Sequence, residues 1–171
     1  MKKKFSFESA IELTMTALFV SVIFLCTMAV NIKLPVASNG GLMHLGNVPL
    51  FIGAGIFGKK LGAYSGAIGM GLFDLVSGWA IWSPFTIVIS ALIGYTFGSI
   101  LSKKFSVKRY LFAVAVAIVI KSAGYYIAEA IIIRNLIIPL GSIYGNVIQI
   151  IVAGIMAFPV ILPLRKYFLE E

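Results

Sequence analysis

Charge is scarce in this sequence. Charged residues make up 12% of its 171 residues, against about 25% in a soluble domain. A chain so poor in charge cannot cover a water-facing surface, which excludes a soluble globular protein. Sulfur and imidazole are scarcer still. The single cysteine, Cys26, excludes an internal disulfide and a multi-cysteine metal site. The single histidine, His44, has no Cys/His cluster around it, so no zinc site is expected. The six acids form no paired-carboxylate or Ser/His/Asp arrangement by spacing. The chain is therefore not expected to be an enzyme or to hold a cofactor. No convincing internal repeat is present, which weighs weakly against a self-contained alternating-access transporter.

What is present is apolar length. Hydrophobic residues reach 60% and the mean hydropathy is +1.04, so the chain reads as an integral membrane protein. A helical span takes roughly 20 apolar residues, which allows about six spans and no extramembrane domain. The expected fold is all-α, a compact six-helix transmembrane bundle over residues 1–171. Its spans fall near Ala10–Asn31, Val48–Gly58, Leu61–Gly78, Pro84–Leu101, Tyr110–Ile133 and Ile143–Leu164. The basic start MKKKFSFESA imitates a signal peptide, but the apolar run Ala10 to Val30 is too long for one and no cleavage site follows. It is read as a retained first span. Span two is short: its 11 residues reach only ~17 Å of a ~30 Å core. It either extends back from Met43 or is irregular where protein buries it.

The cations sort by side. Lys2, Lys3, Lys4, Lys59, Lys60, Lys103, Lys104, Lys108, Arg109, Arg165 and Lys166 share one side, and only Lys33 and Arg134 take the other; Lys121 lies inside span five. The positive-inside rule then puts both termini in the cytoplasm. The net charge of +8 is thus divided among membrane anchors and forms no nucleic-acid patch. One motif is a decoy. GAGIFGKK, Gly53 to Lys60, fits two phosphate-cradle patterns, but it lies in an apolar span and Lys60 replaces the magnesium-binding Ser/Thr. Any ATP hydrolysis that drives this protein belongs to another subunit.

Two sets of residues suggest function. On span one Ala10, Thr14, Ala17 and Ser21 make a small-residue face, suited either to internal packing or to docking a partner helix. The small rows of span three, Gly62, Gly66, Ala63, Ala67 and Gly71, read as packing within the subunit. The second set is polar and membrane-embedded, and such groups mark function by default. Asp74 lies about one turn below the outer end of span three. Glu129 stands ~28 Å along span five from Tyr110. Lys121, Tyr125 and Glu129 share a face through i, i+4 spacing, with Tyr126 adjacent. Ser142, Asn146, Gln149 and Ala153 form a stripe on span six. Trp79, Trp82 and His44 lie in loops at the same depth. Each has a plain alternative: an aromatic belt for the tryptophans, ion pairs for Lys121 and the acids, interhelical bonds for Asn146 and Gln149. Their convergence points to an outward pocket with aromatic walls, suited to a small polar heteroaromatic molecule.

The stretch Gly40 to Gly98 resembles the substrate-binding S components of energy-coupling factor (ECF) vitamin transporters, most closely the riboflavin-type sequence group. The features that match are Gly40-Gly41, His44-Leu45-Gly46-Asn47, Asp74-Leu75-Val76-Ser77-Gly78 and Pro84-Phe85-Thr86. Two positions depart: Asn47 stands where an acid is common, and Ser90 where span four often has a lysine. The family's Ala-x-x-x-Ala docking motif is met by Ala17-x-x-x-Ser21.

The resemblance implies a non-catalytic subunit of the cell membrane, bacterial, that binds a vitamin near the outer face. It would dock on a transmembrane coupling subunit (T component) with two ATP-binding-cassette ATPases, and topple to deliver its ligand. Members of the group handle riboflavin, pyridoxine-type and hydroxymethylpyrimidine-type molecules; a one-ring pyridine or pyrimidine is the expectation here. Trp79 or Tyr125 would stack on the ring, Asp74 or Glu129 would accept from it, and Asn146 and Gln149 would orient it. His44, Asn47, Trp82 and Lys121 complete the expected site, and Asn39–Gly46 would close as a lid. A riboflavin-specific subunit and a stand-alone carrier without ATPases are the rival readings.

Overall fold

A backbone in lipid must bond to itself, and helices allow this. The computed structural model describes residues 10–33, 42–102 and 105–169. It folds them into helices α1 (Ala10–Ala29), α2 (Asn47–Phe57), α3 (Lys59–Val76), α4 (Ser83–Leu101), α5 (Val107–Ile133) and α6 (Leu140–Leu169). All six expected helices are present. Four of them, α1, α4, α5 and α6, are long and apolar enough to cross a membrane. The other two qualify the six-span expectation for physical reasons. α2 has only 11 residues, and α3 carries Lys59, Lys60 and Asp74 within 18 residues.

The arrangement accounts for α2. Helices α1, α3, α4, α5 and α6 pack side by side in that order, and α2 packs against α6, α3, α4 and α1. It is therefore the central helix. Its sequence is apolar on every face, as befits a helix surrounded by protein, and Leu50, Phe51, Gly53, Ala54 and Ile56 are all buried. A helix sheltered in this way need not match the bilayer thickness. Phe51 stacks on Phe97 of α4 with ring centroids 4.2 Å apart, and Phe97 meets the Tyr110 ring edge-on at 5.7 Å. At one end of the bundle Arg165 of α6 donates to the carbonyls of Gly55 (2.7 Å) and Leu101 (2.8 Å). It thereby caps two helices whose last carbonyls have no partners in the helix itself.

Between spans one and two, two short strands pair as a ribbon. Strand β1 (Asn31–Lys33) pairs antiparallel with β2 (Leu42–His44), with Ile32 opposite Met43. Met43 is thus in a strand, and α2 does not extend back to it. The first part of the expected lid, 39–41, lies outside the described residues, as do Lys2, Lys3, Lys4, Lys103 and Lys104. The remainder, Leu42 to Gly46, is half-buried or buried against the bundle.

The small rows of α3 do pack within the subunit. A Cβ on Gly62 would lie 2.7 Å from the carbonyl oxygen of Gly94, and one on Gly98 would lie 2.5 Å from the Lys59 nitrogen. A Cβ on Gly94 would overlap the Gly62 carbonyl itself. Helices α3 and α4 touch backbone to backbone, where nothing can swing aside. Gly94→Ala is therefore expected to destabilise the fold by about 1–3 kcal/mol or more, measured by titration with a denaturing detergent. Gly154→Ala serves as the comparison. Its new Cβ would meet the Val114 side chain alone, its two methyls at 3.1 and 3.3 Å, so it should cost less than Gly94→Ala.

Candidate functional site

The site begins with the way α3 ends. Gly78 has φ +83°, a left-handed conformation that glycine adopts without strain. This lets the chain reverse, and the Trp79 N–H donates back to the Asp74 carbonyl at 2.9 Å, closing the helix in the manner of a Schellman turn. The reversal folds Trp79 over the last turn of α3. The loop then winds on itself: Trp82 N–H donates to the Trp79 carbonyl, and Thr86 N–H to that of Trp82. The Ser83 hydroxyl ties it to α3 by donating to the Gly71 carbonyl at 3.0 Å. Pro84 follows in the first turn of α4, where its missing N–H costs nothing.

A cavity opens under this loop. Its lining comes from α1 (Thr27), the hairpin (Leu42, His44), α3 (Met70, Asp74), the α3–α4 loop and α4 (Trp79, Trp82, Thr86), α5 (Lys121, Tyr125) and α6 (Asn146). Seven of the residues expected from the sequence meet here: His44, Asp74, Trp79, Trp82, Lys121, Tyr125 and Asn146. Asp74 and Lys121 are only 7% and 2% exposed, and they carry opposite formal charges into one cavity. The Lys121 Nζ stands 5.0 Å from the Tyr125 ring centroid, a cation–π contact that is strengthened by desolvation. The Tyr125 hydroxyl shares a 3.1 Å hydrogen bond with Thr86. Asp74 Oδ2 is buried with no hydrogen-bond partner, an acceptor of the kind that a ligand donor would satisfy.

His44 is held neutral. Burial, and after it the charge of Lys121, keep its imidazole well below the ordinary histidine range. Its Nδ1 accepts from the Gly46 N–H at 3.3 Å, which leaves the proton on Nε2 as a donor. The open volume of the cavity is about 30 Å³. That is room for a water or two, whereas a benzene-binding cavity measures ~150 Å³. A ring can enter only if side chains at the mouth swing aside. Trp79, half-buried on its short loop, is the bulkiest candidate to move.

Three expected residues are placed elsewhere. Gln149 is buried and donates its amide N–H to the His44 carbonyl at 2.8 Å, so it positions the hairpin instead of facing the cavity. Asn47 is fully buried as the first residue of α2, and neither atom of its side-chain amide has a hydrogen-bond partner. Glu129 is buried on α5 and does not line the cavity. Four lining residues were not expected. Met70 precedes Asp74 by four residues and so shares its helix face, a signal open to the same i, i+4 reasoning. Thr86 stands inside the Pro84-Phe85-Thr86 motif. Thr27 and Leu42 carry no signal, since one is a hydroxyl on a packed helix face and the other an aliphatic in a strand.

On α1 the face Ala10, Thr14, Ala17 and Ser21 is exposed along its length. The hydroxyls of Thr14 and Ser21 donate to the carbonyls of Ala10 (2.8 Å) and Ala17 (3.0 Å). The face they present is therefore small and has few free donors.

The family described as "ECF-type riboflavin transporter, S component" matches residues 7–166. The chain belongs to this family. The family is one of membrane transporter S components, as the motifs suggested. This S component is also similar to a protein of Pyrococcus woesei described as "Uncharacterized protein in gap 3'region", 28% identical over 67 residues. The match spans 39% of this chain and 45% of that protein, so it covers less than half of the relative's length.

Proposed function

We propose that this S component binds a small one-ring heteroaromatic vitamin or precursor, of the pyridoxine or hydroxymethylpyrimidine type, in the cavity beneath Trp79. The observation that carries this reading is the meeting of Asp74, Lys121, Tyr125, Trp79, Trp82, His44 and Asn146 around one cavity. Tyr125 or a tryptophan stacks on the ring. Asp74 accepts from an amino, hydroxyl or ring N–H group. Lys121 and the His44 Nε2–H supply donors for a ring nitrogen or hydroxyl, and Asn146 fixes the orientation. Gln149 acts at one remove through the His44 carbonyl. Asn47 and Glu129 belong to the same reading as buried polar groups close in sequence to His44 and Tyr125. The small open volume favours one ring over three, since fewer side chains need to move.

In this reading the cavity faces outward, both termini are cytoplasmic and the cell is bacterial. The exposed face Ala10, Thr14, Ala17 and Ser21 docks on a transmembrane coupling subunit that works with two ATPases. The second reading is a riboflavin subunit, favoured by the description of the family itself. The deciding experiment is to purify the protein in detergent, denature it and identify the released small molecule by mass spectrometry. A pyridine or pyrimidine vitamin supports the first reading and riboflavin the second. Lipid alone, across repeated preparations, counts against both. Uptake by vesicles holding this chain alone would instead support a carrier that works without ATPases.

A further inference from the structure

The connection from α5 to α6 is unusual for a loop. It reads Arg-Asn-Leu-Ile-Ile-Pro, residues 134–139, and Leu136 and Ile137 are 69% and 77% exposed, with Ile138 also exposed. Loop tips in water favour Gly, Asn, Asp and Ser. The second oddity is in the backbone. Asn135 Oδ1 accepts from the N–H groups of Ile137 (2.8 Å) and Ile138 (3.0 Å). The Tyr126 hydroxyl donates to the Leu136 carbonyl at 3.0 Å. The N–H groups of Leu140, Gly141 and Ser142 donate to the carbonyls of Ile137, Ile138 and Pro139 at 3.1, 3.2 and 3.1 Å. Proline itself has no N–H. From residue 137 to 142 every N–H is thus bonded within the protein, and from 136 to 139 every carbonyl. Such bonds also occur in water-facing turns, where water can supply any missing partner. Irregular backbone beside hydrocarbon does need such bonds.

The apolar surface also does not stop at the loop. Ile127 and Ile131 on α5 and Leu140 and Tyr144 on α6 are exposed on either side of it, so the tip continues two membrane-crossing helices. Its one charge, Arg134, is exposed at the left-handed end of α5, where a long side chain can reach for the headgroups while its stem stays in apolar surroundings.

We propose that the α5–α6 loop is immersed in lipid, with Leu136, Ile137 and Ile138 seated among the acyl chains of the leaflet at the cavity end of the bundle. Tyr125 lies nine residues before the loop and Asn146 six residues after Leu140. At 1.5 Å per residue both therefore sit ~10 Å or more along the helices from the tip. The immersed loop fixes the depth of the cavity from that edge.

The test uses the full chain in lipid nanodiscs, where both membrane faces are open to reagent. In a Cys26→Ala background, Ile137→Cys and Lys108→Cys are each reacted with a charged, membrane-impermeant thiol reagent. Reaction needs the thiolate, which forms in water and not among acyl chains, so Ile137→Cys should react at least about tenfold more slowly. In a second measurement, a fluorophore on each cysteine is exposed to nitroxide-labelled lipid and to aqueous iodide. The label at 137 should be quenched by the lipid and shielded from iodide. Equal thiol reactivity, or iodide quenching equal to that at 108, would place the loop in water and overturn the proposal. Shielding from both quenchers would mean that protein covers the tip, and would overturn it equally.

Discussion

Asp74→Asn should weaken ligand binding about 10- to 100-fold while the protein still inserts and folds. The substitution keeps the size and shape of the side chain. It removes the charge and turns one acceptor oxygen into a donor. A hydrogen bond to a charged group contributes about 1.5–3 kcal/mol, and 1.4 kcal/mol is tenfold in affinity. Lys121 deepens the effect, because it lines the same cavity and would lose the carboxylate that opposes its charge. Glu129→Gln is the contrast. Glu129 lies on α5 away from the cavity lining, so its substitution should change affinity by less than about threefold, under 1 kcal/mol. Isothermal titration with the ligand recovered from the native protein measures both. Unchanged affinity in Asp74→Asn would remove Asp74 from the site. A large loss in Glu129→Gln with Asp74→Asn unaffected would exchange their roles.

The contrast between those two acids shows how far the sequence could be read. Composition and apolar run length gave the six helices, because backbone satisfaction in lipid leaves few alternatives. The helical residues that line the cavity were legible by the cost of their chemistry. Asp74, Lys121, Tyr125 and Asn146 are polar groups in apolar runs, and an i, i+4 ladder fixes which of them share a face. The same ladder carries Glu129, which does not line the cavity. Spacing gives a face but not where the neighbouring helix crosses it, and it is the crossing that sets where a cavity ends. Gln149 was misplaced for a similar reason: its partner is a backbone carbonyl of a hairpin 105 residues away, and carbonyls leave no mark in sequence. The hairpin was read as loop because Asn31–Lys33 and Leu42–His44 are only three residues each, too short for an alternation pattern. The central place of α2 was legible only as an anomaly. Eleven apolar residues are too few to span a membrane, and the packing of α2 against four other helices explains why they need not.

Ala17→Trp is the second substitution expected to have a large effect, and it separates assembly from binding. Helix α1 lies at the edge of the bundle: Thr16, Ile23 and Thr27 are its buried residues, while Ala10, Thr14, Ala17 and Ser21 line an outer face. Membrane helices associate through close backbone approach, which small side chains permit. The Thr14 and Ser21 hydroxyls are bonded to their own helix, so the face offers shape more than hydrogen bonds. An indole at position 17 would hold a docking helix away along about a turn on either side. Co-purification of the coupling subunits should then fall about tenfold or more, equivalent to ~1.4 kcal/mol or more. Ligand affinity should stay at the parent value, because Ala17 is exposed and lies ten residues, ~15 Å along α1, from Thr27 at the cavity. If assembly survives the indole, the stripe is a lipid-facing surface and the coupling subunit docks elsewhere. If ligand binding falls together with assembly, α1 has shifted within the bundle. Ala17→Ser, which matches Ser21 in size, should then retain both activities.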